Sequence, residues 1–275
     1  MNGKPVALFC EMDLQYISSG LNEAVKKAGA FILSQRKGFK EDAVSSKSFN
    51  QLVSYVDKEA EQMLVEELHQ LVPEAGFLTE EKTRADQTEG LIWIIDPLDG
   101  TTNFIHGLPV YSVSVALANG TEVLCAAVYE INQDELFYAV KNGGAFLNGE
   151  RISVKQTPDL NDTLMATGFP YYDFDELPQY VSVLTYLMRN TRGLRRMGSA
   201  AVDLAYVSCG RFDGFFELSL SPWDVAAGVL LVTEAGGIVT DFKGGENFIH
   251  GRSIVAASKA IHAPLASLIK KEFGY

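Results

Sequence analysis

The middle of the chain contains five apolar segments that read as strands, and most of the gaps between them are short. They cover residues 91–96, 111–117, 122–131, 134–140 and 144–154. Turn signals such as the Asn-Gly pair at 119–120 separate them, and such short turns join strands that run antiparallel. The sequence therefore predicts an antiparallel sheet in the N-terminal half of the chain.

Helical patterns precede this sheet. Residues 13–37 carry apolar side chains at three- and four-residue steps and are followed by Gly38, which predicts an amphipathic helix. A second helix is predicted from Asp57, a plausible N-cap, to Leu71. Residues 76–81 then predict a short strand that ends in two glutamates.

Strands and helices alternate after residue 157. Strands are predicted at 163–169, 193–198, 212–218, 237–242 and 253–258, and helices at 176–190, 199–210, 221–237 and 261–273. The polar stretch at 155–160 is the best internal boundary. We therefore predict an α/β protein of two halves, residues 1–157 and 158–275.

Composition limits the classes of function. The chain has 275 residues, 47% apolar content and a net charge of −12. This acidity argues against a nucleic-acid partner, because nothing offsets phosphate repulsion, although a phosphorylated substrate is possible if cations intervene. No stretch approaches the length of a membrane helix. Three widely spaced cysteines, Cys10, Cys125 and Cys209, predict reduced packing residues in a cytoplasmic protein.

A buried strand ends in an unusual concentration of negative charge. Asp96 and Asp99 flank Pro97 and Leu98, and Gly100 follows. A solvated turn is one interpretation. Two carboxylates so close together repel each other, however, unless a cation neutralises them. Oxygen donors without nearby His or Cys favour Mg²⁺, Ca²⁺ or Mn²⁺ over Zn²⁺.

A phosphoaspartate mechanism is a further interpretation of this turn. Haloacid-dehalogenase phosphatases resemble it superficially, since an apolar strand there leads to Asp-x-Asp-Gly-Thr. Here two residues separate Asp96 from Asp99. The extra residue would move the second acid away from the place of the proton donor.

Two long segments resemble the signatures of the inositol monophosphatase family. They are WIIDPLDGTTNFIHGLP at 93–109 and PWDVAAGVLLVTEAGGIVTD at 222–241. The intervening residues 195–218 look like the substrate-side segment of that family, and residues 52–57 and 77–81 match its remaining sites. The resemblance therefore spans essentially the whole chain, in order.

The resemblance implies a layered αβαβα sandwich of the sugar-phosphatase type, with a mainly antiparallel N-terminal sheet and a mixed C-terminal sheet. It also implies Mg²⁺-dependent hydrolysis of a phosphorylated polyol, with myo-inositol monophosphate as the first candidate, by a homodimer. Two or three Mg²⁺ ions would bind, Mn²⁺ could substitute, and Ca²⁺ and Li⁺ would inhibit.

The family also implies the metal ligands. Glu80 and Asp96 would bind one ion, with the Leu98 carbonyl and the Thr101 hydroxyl. Asp96, Asp99 and Asp224 would bind a second, and a weaker third ion would sit near Glu80. A water activated by metal would attack phosphorus directly, with Glu80 and Thr101 beside it.

The resemblance also implies which residues contact the substrate and which support the site. The N–H groups of Gly100 and Thr101 would contact the phosphate, and Asp57 would orient Thr101. The alcohol would contact a Gly-Ser-Ala turn and an acid that accepts its hydroxyls, while a lysine would stand beside the metal shell. These residues are Gly198, Ser199, Ala200, Glu217 and Lys47. Thr79 stands where the family usually has Gly, and residues 47–51 also depart from its pattern.

Two alternatives stay open. Fructose 1,6-bisphosphatases belong to the same superfamily, although Thr102-Asn103 after Gly-Thr favours the inositol type, and Glu217 favours a neutral polyol over a second phosphate. A metal-stabilised binding or regulatory protein is the alternative that is not an enzyme.

Overall fold

A computed structural model describes residues 13–39, 44–48, 51–87, 89–170 and 175–275. For residues 44–48 and 51–53 it describes the backbone alone. Cys10 and the side chain of Lys47 therefore lie outside the described part of the chain, and the expectation for Lys47 stays a prediction.

The described residues form the following elements. The helices are α1 (Leu14–Arg36), α2 (Tyr55–Leu71), α3 (Thr101–His106), α4 (Leu177–Asn190), α5 (Ala200–Ser208), α6 (Pro222–Glu234) and α7 (Lys259–Phe273). The strands are β1 (Val44–Ser48), β2 (Gln51–Ser54), β3 (Gly76–Thr79), β4 (Leu91–Asp99), β5 (Ser112–Asn119), β6 (Glu122–Glu130), β7 (Glu135–Val140), β8 (Gly144–Leu147), β9 (Glu150–Arg151), β10 (Leu164–Thr167), β11 (Gly193–Arg195), β12 (Gly214–Leu218), β13 (Ile238–Thr240) and β14 (Ser253–Ala257).

Two large sheets organise the molecule. The first has the order β3-β4-β5-β6-β7-β8-β9, in which only the β3–β4 pair is parallel. The second has the order β11-β10-β12-β14-β13, with two parallel and two antiparallel pairs. The predicted antiparallel and mixed sheets are confirmed. The β1–β2 hairpin and the short helix α3 were not predicted.

Side-chain alternation along β4 explains the layers. Trp93 and Ile95 pack with α1 and α2, whereas Ile92 and Ile94 pack into the core that contains α5 and α6. The far face of the second sheet packs on α4 and α7, with Phe216 of β12 in that core. The result is the predicted αβαβα sandwich.

Two local expectations were wrong. Pro97 does not close β4, which continues to Asp99, because a bulge accommodates the proline. Asp57 is not the N-cap of α2. Ser54 is the N-cap, and the Asp57 carboxylate accepts the Ser54 backbone N–H at 2.8 Å to complete a capping box.

The division at residues 157 and 158 stays a prediction. The two sheets separate in sequence between β9 and β10, so the predicted boundary falls within this connection. Nevertheless, α6 of the C-terminal half packs against β4, β5, β6 and β7 of the N-terminal sheet. The two halves therefore share one hydrophobic layer.

No helix in the described part of the chain is long and apolar enough to cross a membrane.

The close approach of α5 and α6 depends on Gly228. A Cβ at this position would lie 2.5 Å from both Cβ and Cδ1 of Leu204. We expect Gly228→Ala to lower the free energy of unfolding by about 1–2 kcal/mol, because overpacking outweighs the gain of roughly 1 kcal/mol in helix propensity. Urea denaturation measures this change. Gly38→Ala is the control, since a Cβ there meets nothing within 4 Å, and equal effects at both positions would contradict the prediction.

Candidate active site

The parallel pair β3–β4 brings the first two acidic residues together. Thr79 is the register partner of Ile95, and the Glu80 N–H donates to the Ile95 carbonyl at 3.2 Å. The next residues, Glu80 directly after β3 and Asp96 within β4, therefore lie side by side. Parallel strands produce this arrangement because their carboxyl ends lie at the same edge of the sheet.

A bulge in β4 places Asp96 and Asp99 on one face. Asp96 is opposite Ser114 and Asp99 is opposite Ser112, so β4 has one residue more than β5 over this interval. In a regular strand, positions 96 and 99 would point to opposite faces, because side chains alternate along a strand. The bulge interrupts this alternation. Both aspartates consequently face the layer that contains α5 and α6.

The N-terminus of α6 supplies the last acid. Ser221 is the N-cap, Pro222 is the first helical residue, and the Oδ2 atom of Asp224 accepts the Ser221 N–H at 2.6 Å. Proline at this position and a carboxylate in the first turn are both favourable helix-start features. The sequence thus fixes Asp224 at the helix end that reaches the other acids.

These acids line one cavity of about 960 Å³. The other predicted site residues in its wall come from the bulge, from the start of α3, from the start of α5 and from β12. The predicted residues that line the cavity are Glu80, Asp96, Leu98, Asp99, Gly100, Thr101, Gly198, Ser199, Ala200, Glu217 and Asp224. Asp57 is buried behind this wall. In the described residues, no three His, Cys, Asp or Glu side chains already cluster tightly enough to hold a metal ion.

Asp57 contacts the cavity through Thr101. The Thr101 hydroxyl lies 3.0 Å from Oδ1 of Asp57 and 3.0 Å from the Leu98 carbonyl oxygen. The other Asp57 oxygen accepts the hydroxyl and the N–H of Ser54, at 2.7 and 2.8 Å. Asp57 therefore has its carboxylate fixed by the helix cap and presents one oxygen to Thr101.

The start of α5 holds Asp99. Its Oδ2 atom accepts the Ser199 hydroxyl at 2.6 Å and the Ala201 N–H at 2.7 Å. The Ser199 hydroxyl is thus already engaged with Asp99, and it also accepts the Val202 N–H as the N-cap of α5. The predicted substrate-side turn is therefore joined directly to a predicted metal ligand.

Burial and mutual repulsion make these carboxyl groups weak acids. Desolvation, followed by repulsion from Glu80, Asp99 and Asp224, raises the pKa of Asp96 well above its usual range. Desolvation raises the pKa of Asp99 to about 6, although its bonds from Ser199 and Ala201 oppose the shift. Desolvation and repulsion from Asp99 raise the pKa of Asp224 well above normal. A bound cation would relieve this repulsion.

The donor set fits a hard divalent cation. Each of the three aspartates uses one oxygen for hydrogen bonds, and within the described chain its second oxygen has no hydrogen bond from protein. Carboxylates, the Leu98 carbonyl and the Thr101 hydroxyl are all oxygen ligands of the kind that Mg²⁺ prefers. The chemistry of the donors therefore suits such an ion, and the carboxylates would have to approach one another to bind it.

Glu217 of β12 also lines the cavity, within electrostatic reach of Asp224. Its side chain is buried, and desolvation, followed by repulsion from Asp224, raises its pKa well above normal, while Arg196 opposes the shift. Gly168, which follows β10, packs so closely that a Cβ at this position would overlap the Glu217 carboxyl group. Only glycine leaves room for that carboxyl group at this place.

Sequence reasoning missed two residues of the cavity wall. Gly168 lies near the end of the strand predicted at 163–169, although the observed β10 ends at Thr167, and its close approach to Glu217 had no local signal. Asp203 is buried in α5 and lines the cavity, and its Oδ1 atom has no hydrogen-bond partner in the described chain. An acid inside an otherwise apolar helix was the available signal for Asp203.

The raised pKa values predict how pH affects metal binding. Asp99 is a weaker acid in the folded protein than in the unfolded chain. The metal-free fold therefore loses stability as the pH rises from the ordinary pKa of aspartate to about 6. Protons also compete with cations for the same oxygens. We therefore expect Mg²⁺ to raise the melting temperature little at about pH 5 and markedly at about pH 7.5.

Thermal denaturation with Mg²⁺ and with EDTA at both pH values measures this difference. Asp99→Asn should remove much of the pH dependence. An equal Mg²⁺ effect at both pH values in the unsubstituted protein would contradict the assignment.

Comparison with known proteins agrees with this geometry. The model of the inositol monophosphatase family matches residues 13–272. The chain is 42% identical over 250 residues to an inositol-1-monophosphatase of Rhizobium meliloti, which covers 90% of this chain and 94% of the relative. It is also 42% identical over 247 residues to the Nus factor SuhB of Escherichia coli, which covers 89% of this chain and 92% of the relative.

A solved structure shares the fold. The extragenic suppressor protein SuhB of Bartonella henselae superposes with a TM-score of 0.86 at 38% identity, over 92% of this chain and 98% of that one. Sequence and fold therefore agree over nearly the full length, and the chain belongs to the inositol monophosphatase family and is a phosphatase.

Proposed function

We propose that this protein is a Mg²⁺-dependent phosphatase of polyol monophosphates and that myo-inositol monophosphate is its preferred substrate. The observation that carries the proposal is the convergence of Glu80, Asp96, Asp99 and Asp224 on one cavity, beside the bonded pair Thr101 and Asp57. Substrate and metal dependence are the parts that experiments must test.

The cavity offers two overlapping sets of metal ligands. Glu80, Asp96, the Leu98 carbonyl and the Thr101 hydroxyl would hold one ion. Asp96, Asp99 and Asp224 would hold another, and a third could accompany the substrate near Glu80. When bound, Mg²⁺ would supply charge neutralisation, a lower pKa for a ligated water and stabilisation of the leaving oxygen.

Thr101 and Glu80 position the attacking water. The Asp57 carboxylate accepts the Thr101 hydroxyl, so the hydroxyl oxygen keeps a lone pair for a water or an ion. Glu80 lies next to this group at the end of β3 and can accept a proton from the water. Water then attacks phosphorus directly, the bond between phosphorus and the ester oxygen breaks, and that oxygen takes a proton from solvent and leaves as the alcohol, so no phosphoenzyme forms.

The remaining residues hold the two ends of the substrate. The backbone N–H groups of Gly100 and Thr101 would bind phosphate oxygens, and Gly100 adopts the left-handed conformation (φ of 96°) that this turn requires. Gly198, Ser199 and Ala200 would face the alcohol through their backbone, because the Ser199 side chain is bonded to Asp99. Glu217 would accept hydroxyl groups of the polyol.

A neutral polyol suits the surroundings of Glu217 better than a second phosphate does. Glu217 is a buried acid close to Asp99 and Asp224, and a phosphate group placed against it would add repulsion. This favours inositol monophosphate over fructose 1,6-bisphosphate. A homodimer is part of the proposal on family grounds, and light scattering tests it.

Removing one shared metal ligand should abolish turnover. We expect Asp96→Asn to lower kcat about a thousandfold or more, since metal-based charge stabilisation is worth several kcal/mol. The fold should persist, because the substitution is isosteric, and circular dichroism checks this. Asp86→Asn, in an exposed loop, is the matched control. Full activity of Asp96→Asn in saturating Mg²⁺ would overturn the ligand assignment.

A substrate panel with phosphate release tests the specificity. We expect the highest kcat/KM for inositol monophosphates, and the highest value for fructose 1,6-bisphosphate would reject the preference. Glu217→Gln should raise KM for inositol monophosphate about tenfold, because hydroxyls lose a charged acceptor. It should affect p-nitrophenyl phosphate, which lacks those hydroxyls, much less. Equal losses on both substrates would contradict the role of Glu217.

A further inference from the structure

A second acid on α2 has no place in the mechanism above. Glu61 lies one turn beyond Asp57 and is fully buried, with 0% of its surface exposed. Its carboxylate accepts four hydrogen bonds from the last residue of β3 and the segment that follows it. The donors are the Thr79 hydroxyl at 2.9 Å, the Glu81 N–H at 2.7 Å, the Thr83 N–H at 2.8 Å and the Thr83 hydroxyl at 2.7 Å.

This arrangement is too complete to be incidental packing. Burying a carboxylate is costly unless hydrogen bonds replace its water. All four partners of Glu61 are donors, which suits a group that only accepts hydrogen bonds. The bonds use both oxygens, since Oε2 accepts from Glu81 and Oε1 accepts from Thr79 and Thr83. Glu61 thus fixes the path of the chain over residues 79–83.

Glu80 lies in the middle of that path. The residues on both sides of it, Thr79 and Glu81, donate to Glu61, and its own N–H donates to the Ile95 carbonyl. The backbone of Glu80 is therefore held from the helix and from β4 at once.

Asp57 and Glu61 form a matched pair on α2. Residues four apart lie on one face of a helix. Asp57 accepts a hydrogen bond from Thr101, which begins α3 just after β4, and Glu61 accepts hydrogen bonds from the segment at the end of β3. The first two turns of α2 therefore brace both strand ends that supply the acids of the cavity.

We infer that Glu61 is a positioning residue that sets the metal affinity of Glu80. It acts on Glu80 through the backbone of residues 79–83 and touches neither substrate nor ion. The inference rests on the proposed function, because it concerns the ion that Glu80 would bind. Groups behind a metal ligand typically change metal affinity by about 10–100-fold when they are substituted.

Glu61→Gln tests this role, because it keeps the volume and replaces one accepting oxygen by a donor. We expect Mn²⁺ to bind about tenfold more weakly by titration calorimetry. The Mg²⁺ concentration for half-maximal activity should rise by a similar factor, while kcat at saturating Mg²⁺ largely recovers. Glu59→Gln, exposed on the same helix, is the matched control and should change neither value.

A milder variant tests the same role if Glu61→Gln does not fold. Thr83→Val removes one donor from an exposed residue and should weaken Mn²⁺ binding in the same direction by a smaller factor. Unchanged Mn²⁺ affinity in both variants, with only a lower melting temperature, would overturn the inference and leave Glu61 a purely structural residue. If the unsubstituted protein binds no Mn²⁺, the proposed function fails instead, so the two failures are distinguishable.

Discussion

The extra residue in β4 between Asp96 and Asp99 determines where both carboxylates point. A regular strand would send one of them into the layer beneath α1 and α2, where an acid would have no partner. The bulge turns both toward α5 and α6 and gives Pro97 a position where its missing N–H costs no ladder bond. The parallel neighbour β3 then adds Glu80, and α6 adds Asp224. The four acids proposed to bind metal therefore surround this one irregularity.

Each of these acids is supported by donors from elements that belong to different parts of the fold. Asp99 is held by the start of α5, Asp224 by the cap of α6, and the segment around Glu80 by α2. The supporting bonds occupy one oxygen of each aspartate and leave the other toward the cavity. These hydrogen-bond donors offset part of the repulsion between the carboxylates, and bound cations would offset the rest. Burial is the main cause of the raised pKa values of Asp96 and Asp99, and the repulsion that the hydrogen bonds do not offset adds to it.

Periodicity was sufficient to predict most of the helices and strands and the antiparallel sheet of the N-terminal half, because long amphipathic helices and closely spaced strands are local patterns. The layered arrangement was implied by the family resemblance instead. Periodicity could not predict the bulge, since Pro97 after a buried strand looks like a strand end. The cap of α2 was assigned to Asp57 because Asp is a good N-cap by itself, whereas the capping box needs Ser54 as well. Glu61 and Gly168 escaped notice for a different reason. Their partners lie far along the chain, and only tertiary structure brings them together.

Gly168 has a consequence for how such a protein can change over generations. The three atoms nearest to a Cβ at this position all belong to Glu217, the residue proposed to accept hydroxyl groups of the alcohol. A single codon replacement there would displace the Glu217 carboxyl group and reshape the space for the alcohol, while the phosphate end would keep its chemistry. With Glu217 at the alcohol as proposed, mutation at Gly168 would change the substrate range and leave the groups proposed for catalysis in place. Gene duplicates could diverge toward new phosphorylated alcohols without passing through an inactive ancestor.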